Sequence, residues 1–425
     1  MIVSRVEKHI LKQNNEYYSM IDDFCLKAKN LYNHANYIIR QEFCLSNKWI
    51  RYSDLDSMLK KDKDYPDYAN MPTAQSAQQI LRLLDKNWVS FFKSIKDWSK
   101  HKDKYLGKPK LPKYKSKNGR EVLILTNQNV KLKGNILSFP KTFKKFIIQP
   151  QFINRVDFVS FQQVRFLPRN KYIVVELVYN IEVPDIVSDN GRYLSIDIGV
   201  DNLSTITNNF NEAPVIVNGK GLKSMNQYYN KSLAHYKSVT KMINKKDYSN
   251  KQNKLTIKRN AKITDYLHKT SRFIVDYAKQ YSVSAIVIGH NKEWKQNSVL
   301  SKQVNQHFVQ IPFNTLIQQI KYKAEEFGIK VILVEESYIN AAKNPRASPW
   351  VRQTSGTSFL DNEMPIKENY NKSRRKHRGI FKSNNGTLIN ADVNGAFQIL
   401  KKAFPDAYAN GIEAVVFQPI KVNFG

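Results

Sequence analysis

The sequence predicts an α/β protein in two parts: a small β-barrel interrupted by a helical segment, then a mixed sheet flanked by helices. Three observations predict it. The first ten residues, MIVSRVEKHI, read as a strand with no partner nearby, because from Glu16 to Ser99 apolar residues recur three and four apart, the helical period. Short β-type runs then crowd residues 121–180: EVLILTN, NVKLKGNILSF, KFIIQP, VDFVSFQQVRFLP and KYIVVELVYN. From Gly191 onward strands alternate with helices, a pattern that builds a sheet with helices packed on it.

Taken in order, residues 1–12 supply the first strand and 13–104 the helical insertion. Its long helices are YYSMIDDFCLKAKNLYNHANYIIRQEF and, after Pro72, TAQSAQQILRLLDKNWVSFFKSIKDW, with room for a shorter one in the polar stretch between. Residues 105–188 complete the barrel, entered through the basic stretch HKDKYLGKPKLPKYKSKNGR. The second part, 189–425, opens with GRYLSIDIGVDNLSTITNNF, two strands around a tight turn, and APVIVNG. A basic helical hairpin follows near 221–281, turning at NKKDYSNKQN. Lys and Arg occupy several of its faces, more than a core-packing pair needs, which favours a surface turned to nucleic acid over a merely solvated one. Then come the buried-type strand AIVIG, a helix over Phe313–Phe327, the strand KVILVEE, an irregular polar segment to Asn390 and a last helix over Val393–Ala403. This order matches the ribonuclease H architecture.

Composition narrows the function. The 425 residues hold 68 Lys and Arg against 36 acids, a net charge of +32. That excess repels itself unless an anion neutralises it, and a nucleic-acid backbone is the expected partner. A membrane surface is the rival, but the charge is spread along the chain with aromatics interleaved and is not gathered on one amphipathic helix. Two cysteines, Cys25 and Cys44, can build neither a disulfide framework nor a four-cysteine zinc site. With no signal-peptide core and no run of about 20 apolar residues, a cytoplasmic, nucleoid-associated protein is expected.

In so basic a chain, acids on predicted strand ends stand out. Phosphodiester hydrolysis needs an activated water and a stabilised leaving oxygen, which two divalent ions supply, and hard ions such as Mg²⁺ take carboxylate oxygens. Asp197 in LSIDIGV, Glu335 and Glu336 in VILVEESY, and Asp392 in INADVNGAF qualify. Each has a plain alternative: a turn-forming Asp, an exposed strand terminus and a helix N-cap. Together they give Asp, Glu, Asp at the ends of adjacent elements of one predicted sheet, which three unrelated roles would not produce.

DIGVDNLSTIT, IVIGHNKEWKQ, the segment NQHFVQIPFNTLIQQIKYKAEEFGIKVILVEESY, TSFLDNE and RRKHRGIFKSNNGTLINADVNGAFQIL resemble the TnpB family, insertion-sequence proteins related to type V CRISPR effectors. The resemblance runs nearly end to end through the second half and more loosely through the first. It implies a RuvC/ribonuclease H-like α/β nuclease domain after a β-barrel wedge domain with an inserted helical recognition domain. It further implies a transposon-encoded, RNA-guided DNA endonuclease using Mg²⁺, with a guide RNA and target double-stranded DNA as partners. Asp197 matches the family's first catalytic aspartate and Asp392 its last. Many relatives carry the middle glutamate where this chain has Gly289; a subset has it on the following strand, where Glu336 fits best and Glu335 faces the other way if the strand is regular. Asp197, Glu336 and Asp392 are thus the expected holders of two Mg²⁺ ions.

The zinc ribbon of many relatives is missing: residues 339–391 contain no cysteine, so no structural zinc is expected. AAKNPRASPWVRQ, 341–353, reads as an insertion beside Glu336. Trp294, Lys295 and Gln296, after the strand ending at Gly289, and Arg374, Arg375, Lys376, His377 and Arg378, just before the last acid, are candidate nucleic-acid contacts; His268 is a weaker one. Two other functions stay open. One is an RNA-guided repressor that binds without cutting, which usually lacks one of the acids. The other is a DNA transposase, for which no separate helix-turn-helix module is visible.

Overall fold

β1, Ile2–Lys12, alternates exposed with partly covered residues, Leu11 being buried, as a strand with one covered face should. In the computed structural model it finds its partner far along the chain, pairing antiparallel with Tyr172–Glu182 over its whole length. The structure describes residues 1–244, 248–290, 306, 309–339, 350–352, 356–377, 379–409 and 418–424. They divide into two units, Met1–Glu182 and Val183–Gly425.

In the first unit, three helices follow β1: α1 (Tyr18–Ser46), α2 (Tyr52–Lys61) and α3 (Ala74–Lys100). α1 stops where Asn47 turns left-handed, and α3 starts on a capping box in which the Thr73 hydroxyl accepts from the Ser76 amide. α1 packs on α3, where Leu31, Ala35 and Ile39 of the one and Ile80, Leu84 and Trp88 of the other are all fully or nearly fully buried, and Trp88 Nε1 donates to Asn36 Oδ1 at 3.1 Å. The remaining strands are β2 (Leu123–Thr126), β3 (Lys131–Lys133), β4 (Ile136–Ser138), β5 (Ile147–Ile148), β6 (Phe158–Arg169) and β7 (Tyr172–Glu182). They form two antiparallel sheets, ordered β1-β7-β6-β2 and β3-β4-β5. Among the described residues the expected barrel is thus a four-stranded and a three-stranded sheet, with the helices falling in chain order between β1 and β2.

The second unit begins with the meander β8 (Tyr193–Asp197), β9 (Asn202–Asn208) and β10 (Val215–Asn218). The hairpin α4 (Lys220–Asn244) and α5 (Asn250–Gln280) precedes β11 (Ala285–His290), α6 (Phe313–Glu325) and β12 (Lys330–Glu335). After the short strands β13 (Ser337–Ile339), β14 (Trp350–Arg352), β15 (Arg375–His377), β16 (Ile380–Lys382) and β17 (Leu388–Asn390) come α7 (Ala391–Ala403) and β18 (Ile420–Val422). The main sheet runs β12-β11-β8-β9-β10-β18, with β11 and β12 parallel to β8 and β9 antiparallel to it. The mixed sheet flanked by helices expected from the sequence is thus present, with β18 added beyond β10.

β11 explains its own apolar run. Ile286 and Ile288 enter a core with α5 and α6, while Val287 between them packs under α7 with Ile399 and Leu400. Both faces of the strand are covered, so both alternating positions must be apolar. No described helix is long and apolar enough to cross a membrane.

Candidate active site

β8, β11 and β12 are parallel, and their C-terminal ends share one edge of the sheet, the place where open α/β sheets bind ligands. Ile196 is level with Ile288, so Asp197 at the end of β8 is level with Gly289 in β11, which pairs with Val334 in β12. Strand alternation puts Leu194 and Ile196 into the α5–α6 core and turns Ser195 the other way. Ser195 Oγ donates to the Ala396 carbonyl of α7 at 2.7 Å and lies 2.6 Å from Thr207 Oγ1. Asp197, two residues on, shares that face and rests on α7 where the helix has Gly395. A Cβ there would stand 3.0 Å from Asp197 Oδ2, so the glycine makes room for the carboxylate.

Glu336 follows the last residue of β12 and is 6% exposed. Its carboxyl lies against Gly289. A Cβ on Gly289 would overlap Glu336 Oε1 outright and stand 3.0 Å from Glu336 Cδ and 2.5 Å from Ile399 Cδ1. The space a side chain at 289 would fill is therefore taken by the Glu336 carboxylate. Glu335 is only half-buried, and its carbonyl accepts from Lys402 Nζ at 2.6 Å. Burial pulls the Lys402 ammonium below its ordinary range, against the opposing pull of Glu335 and Glu336.

Asp392 lies in the first turn of α7, but it does not cap the helix. Asn390 is the N-cap, its Oδ1 accepting from the Asp392 and Val393 amides. The Asp392 carboxylate instead accepts from Asn202 Nδ2, at the start of β9, at 2.7 Å and lies 3.7 Å from Arg375 Nη2. Asn202 is a site residue that sequence reasoning passed over, although it stands inside DIGVDNLSTIT.

The donor chemistry suits a hard divalent cation: carboxylates with glycines making room for two of them. Yet among the described residues no three His, Cys, Asp or Glu side chains are gathered closely enough to surround an ion. The structure brings the three acids to one edge of one sheet; it does not close them into a ligand shell.

Of the basic run before Asp392, Arg374 is turned inward. Its Nη1 meets Glu363 Oε2 at 2.5 Å and its Nη2 donates to Asn384 Oδ1 at 2.8 Å, whereas Lys376 and His377 are exposed. Glu363 also accepts from the Ser358 amide, and Asp361 from the Asn384 amide. From α7, Asn394 Nδ2, Gln398 Nε2 and Lys401 Nζ, all on one face, donate to the carbonyls of Thr357, Glu363 and Asn362, and Phe359 stacks on Phe397 at 4.4 Å. This cysteine-free segment is thus joined by hydrogen bonds and stacking to the helix that bears Asp392, and the Arg374–Glu363 ion pair braces it from within. His268 is exposed on α5. Trp294, Lys295, Gln296, Arg378 and residues 341–349 of the insertion lie outside the described residues.

Two family models match in succession: OrfB_IS605, described as "Probable transposase", over residues 176–295, and the Cas12f1-like TNB domain over 313–399. The TnpB-like protein ORF457 of Acidianus two-tailed virus is 22% identical over 419 residues, covering 89% of this chain and 82% of its own. A Cas12f1–sgRNA–target DNA complex aligns with 93% of this chain and 98% of its own at 14% identity and TM-score 0.35. The C2c1 protein of Alicyclobacillus acidoterrestris with single-guide RNA aligns with 88% of this chain and 65% of its own at 9% identity and TM-score 0.37.

Proposed function

This chain belongs to the TnpB family, and from that premise we propose that it is an RNA-guided, Mg²⁺-dependent DNA endonuclease of a transposable element. It cuts target DNA paired to a guide RNA transcribed from the transposon end. Residues 1–12 and 105–188 form its wedge domain, 13–104 its recognition domain, and 189–425 its nuclease domain with the basic hairpin near 221–281. The observation that carries the reading is the seat of Glu336. Its carboxylate fills the space beside Gly289, on the strand next to the one that ends in Asp197. A glutamate just past the end of β12 thereby serves the position from which many relatives present theirs on β11.

Asp197, Glu336 and Asp392 would hold two Mg²⁺ ions, which when bound supply an activated water and neutralise charge on the leaving oxygen. The chain's own residues prepare that chemistry. The Ser195 bond to α7 fixes β8 against the helix, Asn202 orients the Asp392 carboxylate and Arg375 balances its charge. Lys376 faces solvent beside this edge, suited to substrate phosphates. Trp294, Lys295, Gln296 and Arg378 are proposed as further nucleic-acid contacts.

A second reading, an RNA-guided DNA-binding repressor, draws on one observation: the three acids are not gathered around a common point among the described residues. One experiment separates the two. RNA that co-purifies with the protein is sequenced, and a matching duplex is offered with Mg²⁺. Cleavage lost in Asp197→Ala with RNA still bound supports the nuclease; tight binding with no cleavage by the wild type supports the repressor.

A further inference from the structure

In the first unit, a groove of about 570 Å³ opens between α1, the C-terminal half of α3 and the stretch Lys108–Lys113. Its floor is aromatic. Phe43, Phe91 and Phe92 are half-buried, with Phe92 centred 5.6 Å from Phe43 and 5.2 Å from Phe91. The fully buried Trp88 backs them.

The rim is cationic. Arg40, Lys108, Lys110 and Lys113 line the groove and no acid does. The three lysines are exposed, and none of them makes an ion pair among the described residues. Arg40 lies over the Tyr114 ring at 4.8 Å, and its buried Nε has no hydrogen-bond partner there.

The lysines sit on a braced segment. Pro109 and Pro112 lack an amide donor, so the stretch joins no sheet. α1 holds it instead: Asn36 Nδ2 donates to the Pro112 carbonyl at 3.0 Å, and Asn33 exchanges bonds of 3.0 and 2.8 Å with the backbone of Lys115. The half-buried rings of the floor, tilted 70° and 58° to Phe92, offer a π-face one ring at a time, and a rim of ammonium groups without ion pairs attracts phosphates. A nucleotide is the ligand that supplies both. A second copy of this chain would bring two positive rims together, which like charge opposes.

We propose that this groove seats an unstacked base of single-stranded nucleic acid on Phe92, its flanking phosphates held by Lys108, Lys110 and Lys113. The proposal stands apart from the catalytic reading, since every residue it uses lies in the first unit.

The test uses the full chain with Asp197→Ala as a background. Fluorescein-labelled oligonucleotides of about ten residues, a length within the usual footprint of such grooves, are offered as oligo(U) RNA and as oligo(dT) DNA. Affinity is read by anisotropy across a salt series, and thio-substituted bases are photocrosslinked to map contacts. Phe92→Leu keeps apolar volume but loses the π-face, and is expected to bind about tenfold more weakly with an unchanged salt slope. The joint change of Lys108, Lys110 and Lys113 to Gln alters exposed residues only, so folding is not at issue; it should flatten the slope by about 2. Crosslinks in residues 40–113 support the site, and the stronger of the two arms identifies RNA or DNA as its ligand. Wild-type affinity and slope in both variants, crosslinks falling wholly elsewhere, or a dimer that covers the groove would overturn it.

Discussion

Replacing Gly289 by alanine puts a methyl group where the Glu336 carboxylate now lies. Ile399 Cδ1 would be 2.5 Å from the new carbon, while ordinary contact begins at 3.4 Å. It must retreat by about 0.9 Å, and the Glu336 oxygen, which is nearer still, by at least as much. Overpacking of this kind costs about 1–3 kcal/mol in a well-packed core, which thermal melting would report as a lowered Tm. The effect on catalysis should be larger than that loss suggests. A misplacement of about 1 Å in a catalytic group can cost about 10²-fold in rate. The assay is single-turnover cleavage of a guide-matched duplex in Mg²⁺, with guide-RNA binding measured alongside to confirm that the rest of the protein is intact. A folded Gly289→Ala protein that cuts at the wild-type rate would refute the reasoning, because Glu336 would then not need its present seat.

Gly395→Ala should separate stability from activity: alanine favours the helix by about 1 kcal/mol, yet its Cβ stands 3.0 Å from Asp197 Oδ2, so Tm should hold or rise while cleavage falls. Glu363→Ala leaves the mostly buried Arg374 without its carboxylate and should lower stability by about 1.5–3 kcal/mol in chemical denaturation; a zinc-selective chelator added in Mg²⁺ buffer should leave Tm unchanged, since hydrogen bonds and stacking join this cysteine-free segment to α7. Burial pulls the Lys323 ammonium, bonded to the His268 carbonyl and Ser271 Oγ, down to about 8. The unfolded chain then binds more protons between pH 8 and the ordinary lysine range, so stability should rise with pH across that window. Lys323→Met should remove that rise, measured by urea unfolding at stepped pH.

The main sheet of the second unit was legible because its strands announce themselves locally. LSIDIGV and AIVIG are apolar runs of strand length, and the 3.6-residue period marks α1, α3, α5 and α6. The strands β13 to β17 were not, since each spans three residues, too few for an alternation to register. β18 was invisible for another reason: it pairs with β10 some two hundred residues earlier, and only the folded chain brings them together. At the candidate site, residue type and a place at the end or start of an element singled out Asp197 and Asp392 as candidates. The role of Asn390 was hidden by the Asp two places on, an equally good cap by type. Arg374 read as one member of a basic run because its partner, Glu363, is neither three nor four residues away and lies across a turn. Strand alternation told Glu336 from Glu335 only for a regular strand, and β12 ends at Glu335, one residue short of Glu336.

The central claim is that Glu336 supplies from the end of β12 the carboxylate that completes a site with Asp197 and Asp392. Its most direct test compares Mg²⁺-dependent cleavage of a guide-matched duplex by Glu336→Ala and by Glu336→Ala carrying Gly289→Glu. The single variant should be inactive, and the double variant, with the carboxylate returned to the same space from β11, should recover measurable cleavage. Wild-type cleavage by Glu336→Ala would contradict the claim.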